Sequence, residues 1–328
     1  MNRGAENGVG SAGPDPVFGA AACRLLAGLL LTACAAGAHA QQVADTAYNP
    51  PLAAPAYEQD AGPRVVIDAG HHNFHTVDGR YQPFAQLLRR DGFRVRGSGA
   101  VLSAQSLAGI DVLVIANALN KANQRDWRLP NPAAFTDAEI AALRAWVDNG
   151  GSLLLIADHM PFAGAAGTLA RAFGVEFSNG FAGRADGDVG PIDFSFEHGL
   201  ARSAVTEGRN ASERISHVIS FTGSAFKPPT GAVPVMTFAP GFVSLESKAP
   251  FKFDAVTPRV PVAGWSQGAL LTVGKGRVAV FGEAGMFTAQ LAGPQARPFG
   301  MNAPAANQNA QFLLNVAHWL ARTPDMQP

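Results

Sequence analysis

The segment Asp68–Thr76 reads D-A-G-H-H-N-F-H-T and puts three of the chain's eight histidines within five residues, directly after the β-branched run Val65-Val66-Ile67. Imidazole titrates near neutral pH, so histidines beside carboxylates suit proton transfer, metal ligation or hydrogen bonding to a polar ligand. The carboxylates in question are Asp68 in this loop, Asp158 in Asp158-His159-Met160-Pro161, and Glu283 in Gly282-Glu283-Ala284. His71, His72, Asp158, His159 and Glu283 are the candidate catalytic residues; Asp68, Asn73, His75 and Asn302 are the candidate ligand-binding ones. A divalent metal would take His71, His72, Asp158 and Glu283, polarising a substrate oxygen or lowering the pKa of bound water. Each residue also has a plain structural reading. His71 and His72 can be satisfied by loop backbone, Asp68, Asp158 and Asn302 can cap turns or helices, and Glu283 can pair with Arg80.

These residues meet only if their strands run parallel. Val65-Val66-Ile67 has the pattern of a strand buried on both faces, and Asp111–Ala116 and Ser152–Ala157 are longer runs of the same kind. Phe84, Leu87 and Leu88 repeat at helical spacing before Gly92, and Phe93-Arg94-Val95 makes a short strand. Asp137–Asn149 carries Thr136 and Glu139 at capping-box spacing and an Ile140, Leu143, Trp146, Val147 stripe. A helix is expected again at Ala165–Phe173. Gly274-Lys275-Gly276 joins Ala269–Val273 to Arg277–Phe281 as a hairpin, and the last helix runs from about Ala306 to Ala321. This order predicts helices on both faces of a mostly parallel sheet, interrupted between about 175 and 268 by an irregular insertion with strands near Ile215–Phe221 and Val233–Phe238. Ligands of such sheets bind outside the carboxyl ends of the strands, where Asp68–His75, Asp158-His159 and Glu283 would converge.

Lysine plus arginine equals aspartate plus glutamate at 25 each, so no basic field gathers nucleic acid. Both cysteines, Cys23 and Cys34, fall in the first forty residues. There Arg24 precedes the apolar run Leu25–Leu31, the mark of a secretory signal over residues 1–40. Ala38-His39-Ala40 fits ordinary cleavage, whereas Leu31-Thr32-Ala33-Cys34 fits a lipobox that would anchor the protein through lipidated Cys34. The stretch before Arg24 is long and carries Glu6 and Asp15, which points to a translation start downstream of Met1. The expected location is the periplasm or the outer membrane as a lipoprotein, with no other membrane contact. Residues 41–63, rich in alanine, proline and glutamine, read as a disordered linker to a domain spanning 64–322.

Trp146–His159 (W-V-D-N-G-G-S-L-L-L-I-A-D-H) and Gly274–Ala284 (G-K-G-R-V-A-V-F-G-E-A) together resemble the bacterial family called domain of unknown function 4350. That family is similar to the class I glutamine amidotransferase-like and trehalose-utilisation-like folds. The resemblance covers about Arg64 to Ala321 and implies a flavodoxin-like three-layer α/β sandwich. In amidotransferases of this fold a nucleophilic cysteine occupies the turn that here reads Asp158-His159-Met160-Pro161. No cysteine follows Cys34, so a thiol mechanism is excluded.

Gly264-Trp265-Ser266-Gln267-Gly268 matches G-x-S-x-G, but a strand rather than a helix follows it, which excludes a nucleophile elbow. Two functions remain open. One is an exported hydrolase-like enzyme acting on a small polar or carbohydrate-type substrate. The other is a non-catalytic module that holds a sugar or envelope component on a degenerate amidotransferase-like scaffold.

Overall fold

The computed structural model describes residues 42–326. The expected leader, with Cys23, Cys34 and both processing patterns, lies outside the described residues.

Alternating apolar side chains build the centre. The principal strands are β1 (Arg64–Asp68), β2 (Arg94–Ser98), β3 (Val112–Ala116), β4 (Ser152–Ile156), β5 (Ser266–Val273) and β6 (Gly276–Phe281). The helices longer than one turn are α1 (Gln82–Arg90), α2 (Asp137–Asp148), α3 (Phe162–Ala172) and α4 (Asn309–Ala321). Val112, Val114, Leu154, Ile156, Ala279 and Phe281 join one core with α1 and α4. Their sequence neighbours Leu113, Ile115, Leu153, Leu155, Val278 and Val280 join a second core with α2 and α3. Period-two alternation therefore feeds both faces, and β3 and β4 are buried along their whole length. Each fully buried leucine or isoleucine contributes about 1.5–3 kcal/mol.

β2, β1, β3, β4 and β6 lie side by side in that spatial order, and every pairing among them is parallel. From β6 outward the sheet changes sense. β5 returns antiparallel through the Gly274-Lys275 turn, because a hairpin that short can join only antiparallel strands. Val233–Thr237 and Phe226–Lys227 then pair antiparallel with β5, and Glu176–Phe177 pairs with Phe226–Lys227. The parallel block is thus one part of a nine-stranded mixed sheet, which corrects the expectation of a mostly parallel one.

The region 175–268 is also more regular than its composition implies. Phe181–Arg184, Phe242–Leu245 and Arg259–Pro261 form a three-stranded antiparallel sheet, and Ile192–Ser195 pairs with His217–Ser220. Its glycines and prolines punctuate short strands rather than mark an absence of structure.

Residues 42–63 are not a disordered linker. Gln42–Ala44 pairs antiparallel with Ala289–Ala292, the Tyr48 hydroxyl donates to the Met301 carbonyl at 2.8 Å, and Arg90 donates to the Pro50 carbonyl at 2.9 Å. Ala56 N–H donates to Asp91 Oδ1 at 2.7 Å, and Tyr57 and Thr323 share a hydroxyl hydrogen bond of 2.7 Å. Low apolar content did not prevent ordering, because the arm is held by backbone pairing and scattered tyrosines instead of a core of its own.

Candidate functional site

Since β1, β4 and β6 are parallel within one sheet, the loops leaving their carboxyl ends share an edge. The edge divides into an interior polar lattice and an outer aromatic face.

His71 belongs to the lattice. Its Nδ1 lies 2.8 Å from Asp68 Oδ2 and its Nε2 lies 2.8 Å from Glu139 Oε1, so both ring nitrogens are occupied. Glu139 sits in the first turn of α2, where it completes a capping box with Thr136 and accepts from Leu102 N–H at 3.3 Å. Burial opposes the imidazolium, but the hydrogen bonds and charges of Asp68 and Glu139 outweigh it and raise the His71 pKa. Burial likewise opposes the Glu139 carboxylate, yet Thr136, His71 and Leu102 as donors bring its pKa down to about 2.

The rest of the loop is spent on its own geometry. Asp68 Oδ1 accepts from Gly70 N–H at 3.0 Å, and Asn73 Oδ1 accepts from His71 N–H at 3.0 Å. His72 is exposed at φ +48°, with Gln124 donating to its Nδ1 at 2.7 Å. His75 is buried, its Nδ1 has no partner, and it stacks on Tyr81 at 4.8 Å. Burial, and then the charge of Arg80, lower its pKa to about 3.

Asp158 and Glu283, on adjacent strands, do come together. Glu283 Oε1 accepts from Gly285 N–H and Oε2 from Met286 N–H, both at 2.6 Å. Burial, and after it the charge of Asp158, push the Glu283 pKa well above the carboxylate range, against the pull of these amides. Tyr81 is the third member: burial and then the charges of Glu283 and Asp158 raise its phenol well above its ordinary value. Glu283 does not pair with Arg80, whose guanidinium carbon lies 4.0 Å over the Phe74 ring. His159 stacks on Phe181 at 4.1 Å and its Nδ1 donates to the Met160 carbonyl at 2.7 Å, leaving Nε2 3.9 Å from Asp158 Oδ1.

The four-residue metal set is therefore not assembled. His71 is consumed by Asp68 and Glu139, His72 is turned toward Gln124, and among the described residues no three His, Cys, Asp or Glu side chains converge to hold a metal ion. Asn302 is also reassigned, because its side-chain amide donates to Asp45 Oδ2 at 2.9 Å and the Gln290 carbonyl at 3.0 Å and so fastens the arm. Ser266 opens β5 with its hydroxyl buried, unlike a nucleophile at a strand-to-helix turn.

Asn117 is a structural member of this edge that sequence reasoning passed over. It follows the run Val112–Ala116 as Asp158 follows Ser152–Ala157, so its position was the available signal. Its Oδ1 accepts from Asp158 N–H at 2.9 Å, its N–H donates to the Ile156 carbonyl at 3.0 Å, and its own carbonyl accepts from Phe74 N–H at 2.9 Å. It does this at φ +51°, a conformation that costs a β-carbon about 1–2 kcal/mol unless the side chain hydrogen-bonds locally. Asn117→Gly and Asn117→Ala both lose the Asp158 contact, but alanine also bears the strain. Chemical denaturation is expected to find the alanine variant about 1 kcal/mol less stable than the glycine variant; equal stabilities would refute this account of the loop.

The outer face is aromatic. Phe74 and Trp127 are half-buried with ring centroids 5.3 Å apart, and Phe162 packs beneath them at 5.5 and 5.0 Å. Phe251, 56% exposed, stands 4.9 Å from His159. Phe299 packs on Phe221 at 4.5 Å, whereas Phe287 belongs to the core.

No protein-family model matches the chain, and no curated protein matches it significantly. Among solved structures it is similar to the mmIFT52 N-terminal domain, with a TM-score of 0.55 at 16% identity over 78% of this chain and 97% of that one. A ThuA-like protein from Bacteroides uniformis ATCC 8492 gives 0.46 at 11% identity over 83% and 94%. The cytoplasmic protein STM1381 from Salmonella typhimurium LT2 gives 0.46 at 14% over 78% and 98%. At these identities the first likeness is one of fold alone.

Proposed function

We propose that this chain is an exported binding module for a small polar, carbohydrate-type ligand, built on a flavodoxin-like scaffold of the domain-of-unknown-function-4350 kind. The spatial order of the parallel strands supports the scaffold, since it follows the flavodoxin pattern of second, first, third and fourth strands, with β6 in fifth place. The signal-like first forty residues support export, to the periplasm or, through Cys34, to the outer membrane.

One observation carries the binding reading. The strand-end groups suited to proton transfer already serve the protein: His71 is held between two carboxylates and Glu283 on two backbone amides, and both are buried. What the edge presents instead is half-buried Phe74 and Trp127, with exposed His72 and Gln124 beside the same loop. Rings that cover the apolar face of a sugar, rimmed by polar side chains, orient a ligand without chemistry.

Calorimetry and tryptophan fluorescence on the purified mature protein test this with a panel of neutral and acidic monosaccharides. Saturable, reversible binding that weakens at least tenfold in Trp127→Ala is expected, with no turnover of chromogenic glycosides or esters. Absence of binding across the panel would refute the module.

The acid–base reading is favoured by a separate observation, the pairing of Asp158 with a Glu283 carboxyl pushed upward by burial and by Asp158 itself. On that reading Asp158 is the base and Glu283 the acid of a hydrolase-like enzyme. Turnover abolished in both Asp158→Asn and Glu283→Gln would establish it over the binding module. Either way the Glu283 carboxyl is expected to titrate above an ordinary glutamate, because burial and the charge of Asp158 both oppose its ionisation. The infrared carbonyl band of glutamate-labelled protein, followed across a pH series and compared with Glu283→Gln, reads this directly, and a titration in or below the ordinary glutamate range would overturn it.

A further inference from the structure

Arg80 is a charge without a counter-charge. It stands just ahead of α1, half-buried, and among the described residues it forms no ion pair and no hydrogen bond. Its Nε is shut away from solvent without an acceptor. Burial pulls its pKa down with no carboxylate offsetting it, and its charge in turn depresses the pKa of neighbouring His75. The Phe74 ring 4.0 Å beneath it stabilises the cation through its face. That contact engages the charge of the guanidinium rather than its N–H donors. The first turn of α1 carries no acid, so nothing on that helix offsets the charge either.

Other arginines of the chain show the contrast. Arg64 reaches Asp111, Arg209 reaches Glu213, and Arg144 reaches Asp148. Arg89 and Arg94 hydrogen-bond backbone carbonyls. Leaving a half-buried guanidinium unpaired costs free energy that a partner arriving with the ligand would recover. The unpaired cation adjoins Phe74, which packs on Trp127, so the missing anion belongs beside the aromatic face.

We propose that the ligand of this edge is an acidic sugar whose carboxylate is bound by Arg80 while its ring lies against Phe74 and Trp127. The inference rests on the binding reading above and names its ligand class. A single planar fork suits a carboxylate, which accepts two parallel N–H bonds, whereas a phosphate dianion calls for more donors than this edge supplies.

The test uses D-glucuronate and D-galacturonate, their neutral uronamides, the parent hexoses and inorganic phosphate, titrated calorimetrically into the full mature chain. The wild-type protein is expected to bind at least one uronate at least tenfold more tightly than its uronamide, and Arg80→Gln is expected to abolish that preference. The uronate–uronamide comparison needs no variant, so a folding defect in Arg80→Gln cannot obscure the outcome. Equal affinity for uronate and uronamide would overturn the role of Arg80 while leaving the sugar-binding module intact. Binding of phosphate alone would overturn the acidic-sugar assignment, and binding of no probe would overturn both.

Discussion

Replacing His75 with phenylalanine is expected to make the protein markedly more resistant to acid. The imidazole makes no hydrogen bond among the described residues, its Nδ1 is buried and partnerless, and its neighbour Tyr81 offers a ring to stack on. A phenyl ring therefore gives up little at neutral pH. The effect lies in linkage. The folded chain holds the His75 pKa at about 3, against the ordinary 6.5. Between those values the unfolded chain binds a proton that the folded chain refuses, so stability falls as pH falls through this window. At pH 4, which lies about 2.5 below the ordinary value, the difference amounts to about 3 kcal/mol. Denaturation across a pH series should show His75→Phe and the parent close together at pH 7.5 and separated by about 3 kcal/mol at pH 4. A separation that does not grow with acidity would refute the assignment of a neutral buried imidazole. His71, four residues earlier, has the opposite sign: its raised pKa contributes stability below 6.5 that is lost as pH rises through the folded value.

Glu139→Ala is expected to cost about 3 kcal/mol, the sum of a lost capping box of about 1 kcal/mol and a buried imidazole and amide deprived of their acceptor. Glu139 joins three parts of the chain: its carboxylate takes Thr136 at the head of α2, Leu102 in the loop after β2, and His71 beyond β1. Because its pKa is depressed to about 2, this contribution is present above the ordinary 4.5 and disappears as pH falls from there toward 2. Glu139→Gln keeps an oxygen for His71 but turns an amide toward Thr136 N–H, so it should cost about half as much. The decisive measurement is the His71 titration followed by NMR in the alanine variant. With one of its two carboxylates gone its pKa must drop, and an unchanged value would show that Glu139 does not govern it.

The sequence displays these two residues unequally. Glu139 was legible as a cap, since Thr136 stands three positions ahead of it, but nothing in that spacing says that its other oxygen receives a histidine from 68 positions away. The parallel strands were legible because continuous apolar runs need cover on both faces. The hairpin of β5 and β6 and the strand at Val233–Thr237 were legible too, but the outer antiparallel edge was not, because Phe226–Lys227 and Glu176–Phe177 are two-residue strands whose existence depends on their partners. The convergence of Asp158 and Glu283 followed from topology, as adjacent parallel strands end side by side. The failure of His71 and His72 to join them did not, since a histidine's direction after a strand is decided by which carboxylate lies in reach. Tyr81 gave no signal, being one more aromatic at the start of an amphipathic helix.

The pairing of Gln42–Ala44 with Ala289–Ala292 spans almost the whole described chain. Sequence separation of that kind is also a statement about time, because a contact cannot form before both of its ends exist and the loop between them has closed. The later part of the arm meets Arg90 and Asp91 early in synthesis, but the strand Gln42–Ala44 has no partner until nearly every other element has been made, and Asn302 and Thr323, which also fasten the arm, come later still. A chain caught before its last strands are complete would therefore have its leading segment undocked and accessible to whatever handles nascent polypeptides. Among the described residues, the first strand to be made is among the last to be paired.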